Sequence, residues 1–141
     1  MRSVACFLSM FLPFALRRLF LRAFLGYEIH PTSRIGFAYV APKKLIMEPG
    51  SRIDHLTVAK GLDLVHLKQH SSIGRLNWIS AFPSGSAVHF SHQPGRKTQL
   101  TLDEHSAVTH RHIIDCTDSI SIGKFSTIAG YRTQLLTHSI D

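Results

Sequence analysis

The chain is short of acids, of cysteine and of tryptophan, and it lacks the signatures of several large enzyme classes. Two cysteines, Cys6 and Cys116, are too few for a disulfide framework and have no metal-site spacing. Both are read as free thiols of a reducing, cytoplasmic compartment. No Asn-Gly or Asp-Gly dipeptide occurs, and strict apolar–polar alternation is missing. An ordinary β-sandwich built on tight hairpins is therefore disfavoured. There is no glycine-rich phosphate loop and no Ser-His-Asp signature. No apolar run reaches the ~20 residues of a membrane-spanning helix. Val4 to Leu16 is apolar apart from Ser9, but Pro13 breaks it. Arg17, Arg18 and Arg22 follow where a secretory signal would carry its small-residue cleavage site. Asp and Glu total 9 against 16 Lys and Arg, a formal net charge of +7 with 10 His uncounted. That balance suits an anionic ligand or an anionic lipid surface. Nucleic acid is not expected, because the aromatics are mostly N-terminal Phe and are not interleaved with Lys and Arg.

What is present is a six-residue rhythm. Ile122, Ser126 and Ile128 carry it most clearly, and it returns with Leu102, Val108, Ile114 and Ile120. It also appears with Leu67, Ile73 and Ile79, with Met47 and Ile53, and with Ile29 and Ile35. Six is too long for a helix turn and is not strand alternation; it marks a β-solenoid whose short strands wall a coil. The aliphatic residue points inward, and so does the small residue four later: Ser33, Ser51, Thr57, Ser71, Ser106 and Ser126. Arg34, Arg52, Lys68 and Lys124 face water. Gly36, Gly74 and Gly123 each follow an Ile, near a corner where glycine's backbone freedom is expected to be needed.

Residues 1–28 form an N-terminal helical unit, and residues 29–141 form the solenoid. Pro13 and Gly26 suit the start and stop of a helix. Leu16, Leu19, Phe20, Ala23 and Phe24 share one face, with Arg18 and Arg22 on the other side. That face is expected to cap the first coil. A basic amphipathic helix also suits an anionic membrane surface, so peripheral contact through residues 1–25, on the inner face of the cytoplasmic membrane, is expected as well. Residues 82–101 leave the coil as a loop, marked by Pro83, Gly85, Pro94 and Gly95, with a short strand expected over Ala87 to Phe90. Such excursions often lie on the binding face, which makes His89, His92 and Arg96 candidate substrate contacts.

Ile122–Gly130, together with Ile29-His-Pro-Thr-Ser-Arg-Ile-Gly36 and Ser72-Ile-Gly74, resembles the hexapeptide-repeat acyltransferases. Ser106–Cys116, Ile122–Gly130 and Gln134–Asp141 resemble the subgroup that acetylates sugars of surface polysaccharides, of the colanic-acid type. The resemblance implies an all-β solenoid, a left-handed parallel β-helix with three hexapeptides per coil. It implies acetyl-CoA as co-substrate, a sugar or lipid-linked saccharide as acceptor, and a homotrimer with active sites between subunits. In that family much of the donor groove comes from coils after the catalytic His. This chain ends at Asp141, directly after a coil, so a C-terminal truncation is expected.

Acyl transfer from a thioester to a hydroxyl needs a base near that hydroxyl and donors for the developing oxyanion. His138, in Leu136-Thr-His-Ser-Ile-Asp141, matches the family's Thr-His-Ser segment, and the resemblance makes it the catalytic base. Asp141 could orient it. His110 and His112, two apart on one strand, are expected to share a face, and the resemblance implies that His110, His112 or Asp115 lines the acceptor pocket. Lys124 and Arg132 are weak candidates for coenzyme A phosphates. Three alternatives stand. His105, His110, His112, Asp115 and Cys116 permit a zinc lyase resembling the γ-class carbonic anhydrases, although no metal is expected here. A serine or other small-molecule acetyltransferase would share the donor, but the long helical domain common in serine acetyltransferases is absent. A non-catalytic structural solenoid would need none of these roles.

Overall fold

The computed structural model describes residues 1–85 and 90–138. The chain winds through five coils, each contributing three short strands. Coil one holds β1 (Glu28–Ile29), β2 (Arg34–Ile35) and β3 (Tyr39–Ala41); coil two holds β4 (Lys44–Met47), β5 (Arg52–Ile53) and β6 (Val58–Lys60). Coil three holds β7 (Leu64–Leu67), β8 (Ser72–Ile73) and β9 (Trp78–Ser80); coil four holds β10 (Gln99–Leu102), β11 (Ala107–Val108) and β12 (Ile113–Asp115). Coil five holds β13 (Ile120–Ile122), β14 (Thr127–Ile128) and β15 (Gln134–Leu136). Strands stack only on their counterparts in the next coil, giving three five-stranded sheets, parallel throughout. The fold is a parallel β-solenoid.

The six-residue rhythm is the ladder register. Ile29, Met47, Leu67, Leu102 and Ile122 form one inward column, and Ile35, Ile53, Ile73, Val108 and Ile128 form the second. Val40, Ala59, Ile79, Ile114 and Leu135 form the third. The first coil keeps three hexapeptides, with Met47 eighteen residues after Ile29, but later coils are longer. Met47 pairs with Leu67, twenty residues on, and Leu102 with Ile122, also twenty on. The two extra residues lie at the corner between the third and first walls. Ile120 therefore does not continue the rhythm from Ile114; it pairs with Leu100 in a second inward column of the first wall. Ser33, Ser51, Thr57, Ser71 and Ser106 fill inward corner slots and are buried. Ser126 is exposed, because it belongs to coil five.

The corners carry the backbone strain. At the first corner Gly50, His70, His105 and Phe125 all have positive φ, between 55° and 74°. Non-glycine residues are costly there, and stacking offsets that cost. The His70 and His105 rings stack at 5.0 Å, and His105 and Phe125 at 5.1 Å. Gly36 and Gly74, by contrast, do not have positive φ, and space rather than backbone freedom explains them. A Cβ on Gly74 would come within 2.5 Å of the Thr109 carbonyl oxygen, and one on Gly36 within 2.8 Å of the His55 ring.

Two helices precede the solenoid, α1 (Arg2–Ser9) and α2 (Phe14–Leu25). Pro13 caps α2, and Gly26 ends it in the left-handed conformation at φ 68°. The buried side of the pair differs from the one the sequence suggests. Arg17 and Leu21 face the coil, while Leu16, Leu19 and Phe24 point outward. The Arg17 guanidinium donates at 2.6 Å to the Gly36 and Ala38 carbonyls, satisfying open backbone acceptors at the first coil. Burial lowers its pKa to about 10. Leu21 is buried in the core, Phe14, Phe20 and Leu25 pack against it, and the Arg17 cation completes the seal at this end. Among the described residues no helix is long and apolar enough to cross a membrane.

Candidate functional site

The chain leaves the coil after β9 and returns at β10, and the described residues 81–85 and 90–98 belong to an excursion at the third corner. Arg96 ties it back. Its guanidinium donates to the Phe82 carbonyl at 2.8 Å, to the Thr117 carbonyl at 2.6 Å and to the Pro83 carbonyl at 3.1 Å, and it lies 4.7 Å from the Phe90 ring centroid. The Ser84 hydroxyl donates to Asp63, which also pairs with Lys43 at 2.7 Å. The excursion is thus anchored on coils two and four, and Arg96 is spent on that anchoring. His92 is exposed. His89 and the strand expected before Phe90 lie outside the described residues.

Against this corner stands His138, just after β15. Its Nδ1 is in ion-pair contact with Asp115 Oδ2 at the end of β12. The other carboxylate oxygen, Oδ1, accepts from the Thr117 backbone N–H at 2.9 Å and from the Thr117 hydroxyl at 2.5 Å. Thr117 therefore fixes Asp115, and Asp115 faces the imidazole. The edges of Phe82 and Phe90 meet the His138 ring, each with centroids 5.5 Å away. The result is a half-buried His–Asp dyad opening into a cleft of about 340 Å³. Trp78, Ile113, Leu136 and Phe82 line its apolar wall, with Ser80 and Thr117 as hydroxyls. Trp78 is 45% exposed on the outer face of the third sheet, with the Lys60 ammonium 4.7 Å from its ring centroid.

Cys116 lies just inside this corner. Burial first, and the Asp115 charge second, push its thiol up to about 12. It stays protonated near neutral pH and is no nucleophile.

The other sequence candidates stay apart from the dyad, although His112 and Arg132 both line a neighbouring cleft of about 550 Å³. His110 and His112 do not share a strand face, because Arg111 between them sits at φ 63° and turns the chain through the second corner. His110 stays outside, where its Nδ1 accepts the Arg75 backbone N–H at 2.8 Å. His112 turns inward and is buried. Its Nδ1 accepts the Thr133 N–H at 3.1 Å, and its Nε2 lies 2.7 Å from the Thr109 hydroxyl, which donates to the Ile128 carbonyl at 3.1 Å. The ring is therefore neutral with its proton on Nε2. Burial, then His110, lowers its pKa below the usual 6.5. Both nitrogens are occupied, so His112 offers a metal no lone pair. Among the described residues no three His, Cys, Asp or Glu side chains gather as a metal site. Lys124 pairs with Glu104 at 3.5 Å on the first corner, and Arg132 lies over Tyr131 on the second. Neither corner carries the dyad. Asp141 lies outside the described residues.

Thr117, Trp78 and Phe82 were not evident as site residues beforehand. The Asp115-Cys-Thr117 spacing is the one local signal, a carboxylate two residues before a hydroxyl that can turn back on it. Comparison with family models, with curated proteins and with solved structures finds no match to this chain.

Proposed function

We propose that this chain is, or is part of, an acetyl-CoA-dependent O-acetyltransferase that acts on a sugar hydroxyl in surface-polysaccharide synthesis. The observation that carries the reading is the His138–Asp115 contact at the mouth of an apolar cleft on a parallel solenoid. The resemblance of the repeat and of the Thr137-His138-Ser139 segment to the hexapeptide acyltransferases supports it, and brings with it the left-handed coil.

The dyad suits the chemistry. Asp115 Oδ2 lies against His138 Nδ1; a proton on Nδ1 leaves Nε2 free, the form a general base needs. His138 Nε2 takes the proton as the sugar oxygen bonds to the thioester carbonyl carbon. The oxyanion collapses, the carbon–sulfur bond breaks, and the imidazolium returns its proton to the thiolate of coenzyme A. Asp115 stabilises the transient imidazolium without changing its own protonation. No acyl-enzyme forms, consistent with a Cys116 thiol that burial keeps protonated. The apolar outer face beside the cleft, with Trp78, Ile113 and Leu136 exposed, supports a homotrimer in which a neighbour completes the site.

Calorimetric titration with acetyl-CoA tests the donor half, and coenzyme A release in the presence of saccharide acceptors tests the transfer. Acceptor-dependent release that His138→Ala abolishes is the expected result. A folded oligomer that ignores acetyl-CoA, in this chain and in a form extended by further coils, would sink the reading.

A further inference from the structure

We propose that the outward face of α1 and α2 docks on a lipid bilayer bearing anionic headgroups. The helix pair caps the first coil through Leu21, Phe14, Phe20, Leu25 and Arg17, yet leaves a second, larger apolar face uncovered. Its buried positions are Cys6, Ser9, Arg17 and Leu21, of which only Leu21 is a large aliphatic side chain. The bulky apolar side chains point to solvent instead: Phe7, Leu8, Phe11, Leu16, Leu19 and Phe24, with Phe11 64% and Phe24 72% exposed. Two aromatic contacts join part of this set to coil one. The Phe7 and Phe11 rings meet edge to face at 5.6 Å, and Phe11 meets Phe37 of coil one at 5.7 Å. A soluble monomer rarely leaves so large an apolar face uncovered.

Charge decides what covers it. Residues 1–27 contain no Asp or Glu; Arg18 and Arg22 lie on α2 with Arg22 exposed, while Arg2 donates to the Lys43 carbonyl. A second copy placed face to face would bring arginine against arginine with no acid between them. An anionic headgroup layer provides the opposite sign all round, and arginine stems can lie along the apolar zone with their heads in the phosphates. The helices span eight and twelve residues, too short to cross, so they lie in the interface. The dyad and its cleft draw on residues 78–138, so this inference stands or falls apart from the acyltransferase reading.

Sedimentation of the whole chain with vesicles tests it. With equimolar phosphatidylglycerol and phosphatidylcholine the protein should pellet, and with phosphatidylcholine alone it should bind at least about tenfold more weakly, because the α2 arginines lose their partner. Phe7→Ser with Phe24→Ser should lower anionic-vesicle binding by at least about tenfold. Arg22→Glu should weaken binding and flatten its salt dependence. Both variants change exposed side chains, and an unchanged far-ultraviolet circular dichroism spectrum would show that the fold persists. The proposal is overturned if the chain stays in the supernatant with anionic vesicles, or if the serine variant pellets as well as the parent. It is equally overturned if the patch instead drives a concentration-dependent oligomer that the serine variant abolishes, since the face then belongs to a second copy.

Discussion

The second and third corners of the solenoid each hold a histidine on a coil turn, and they use it for opposite ends. At the second corner His112 is buried and joined at both ring nitrogens to the coils around it. Asn77 completes that ladder, donating to the Gly74 and Thr109 carbonyls and accepting the His112 backbone N–H. At the third corner His138 has one nitrogen against a carboxylate and lies at the edge of a cleft. A histidine with both nitrogens satisfied can only hold the backbone. One oriented on a single side still has a nitrogen for a substrate. The difference arises from the excursion, which opens the third corner and walls it with Phe82 and Phe90.

Substitution at the two histidines should separate these roles. His138→Ala should lower acetyl transfer about 10²- to 10⁴-fold with the melting temperature nearly unchanged, as expected for loss of a general base. An active His138→Ala would erase the contrast. Asp115→Asn should cost less. Its amide would keep an oxygen for Thr117 but turn an N–H₂ toward His138 Nδ1, favouring the wrong tautomer; kcat should fall more than KM rises. His112→Ala should do the reverse, costing about 2–4 kcal/mol of stability through lost hydrogen bonds and a cavity. Chemical denaturation of the variant reads it.

The glycines sharpen the picture with a smaller effect. Gly74→Ala should destabilise by about 1–3 kcal/mol, because the new methyl meets the Thr109 carbonyl oxygen, a backbone atom that cannot swing away. Gly123→Ala, whose nearest neighbour would be 3.7 Å off, should stay within about 0.5 kcal/mol. The smallest effect is a pH dependence. The folded pKa of His112 lies below its unfolded value, so protons favour the unfolded chain. Its contribution is fully present above about 6.5 and is lost as pH falls through the lowered folded value. Denaturation midpoints from pH 8 down to pH 5 should fall, and His112→Gln should flatten that slope.

Much of the architecture is legible in the residues because each inward position repeats along the chain. Leu67, Ile73 and Ile79 announce three walls before any contact is known. The exceptions have local causes. Coil one keeps eighteen residues, while coils two and four take twenty, since a corner can take two extra residues without disturbing the columns it joins. Leu16, Leu19 and Phe24 turned outward while Phe20 of the same stripe packs on the core, because amphipathicity names a stripe and not the side it turns to the protein. His110 and His112 parted because a left-handed Arg111 between them ends the strand, which spacing alone does not reveal.

The sequence by itself determined the solenoid and the inward columns, because these follow from periodicity; His138 as a candidate base came only through the resemblance of a short contiguous segment. Only the tertiary structure decided that Asp115 faces His138, that Thr117 steadies Asp115 and that His112 is a rung of the core. Asp115 and His138 belong to successive coils, 23 residues apart. What brings them together is the stacking of coils along the axis, and that register is set by the third-wall columns far more than by anything near either residue.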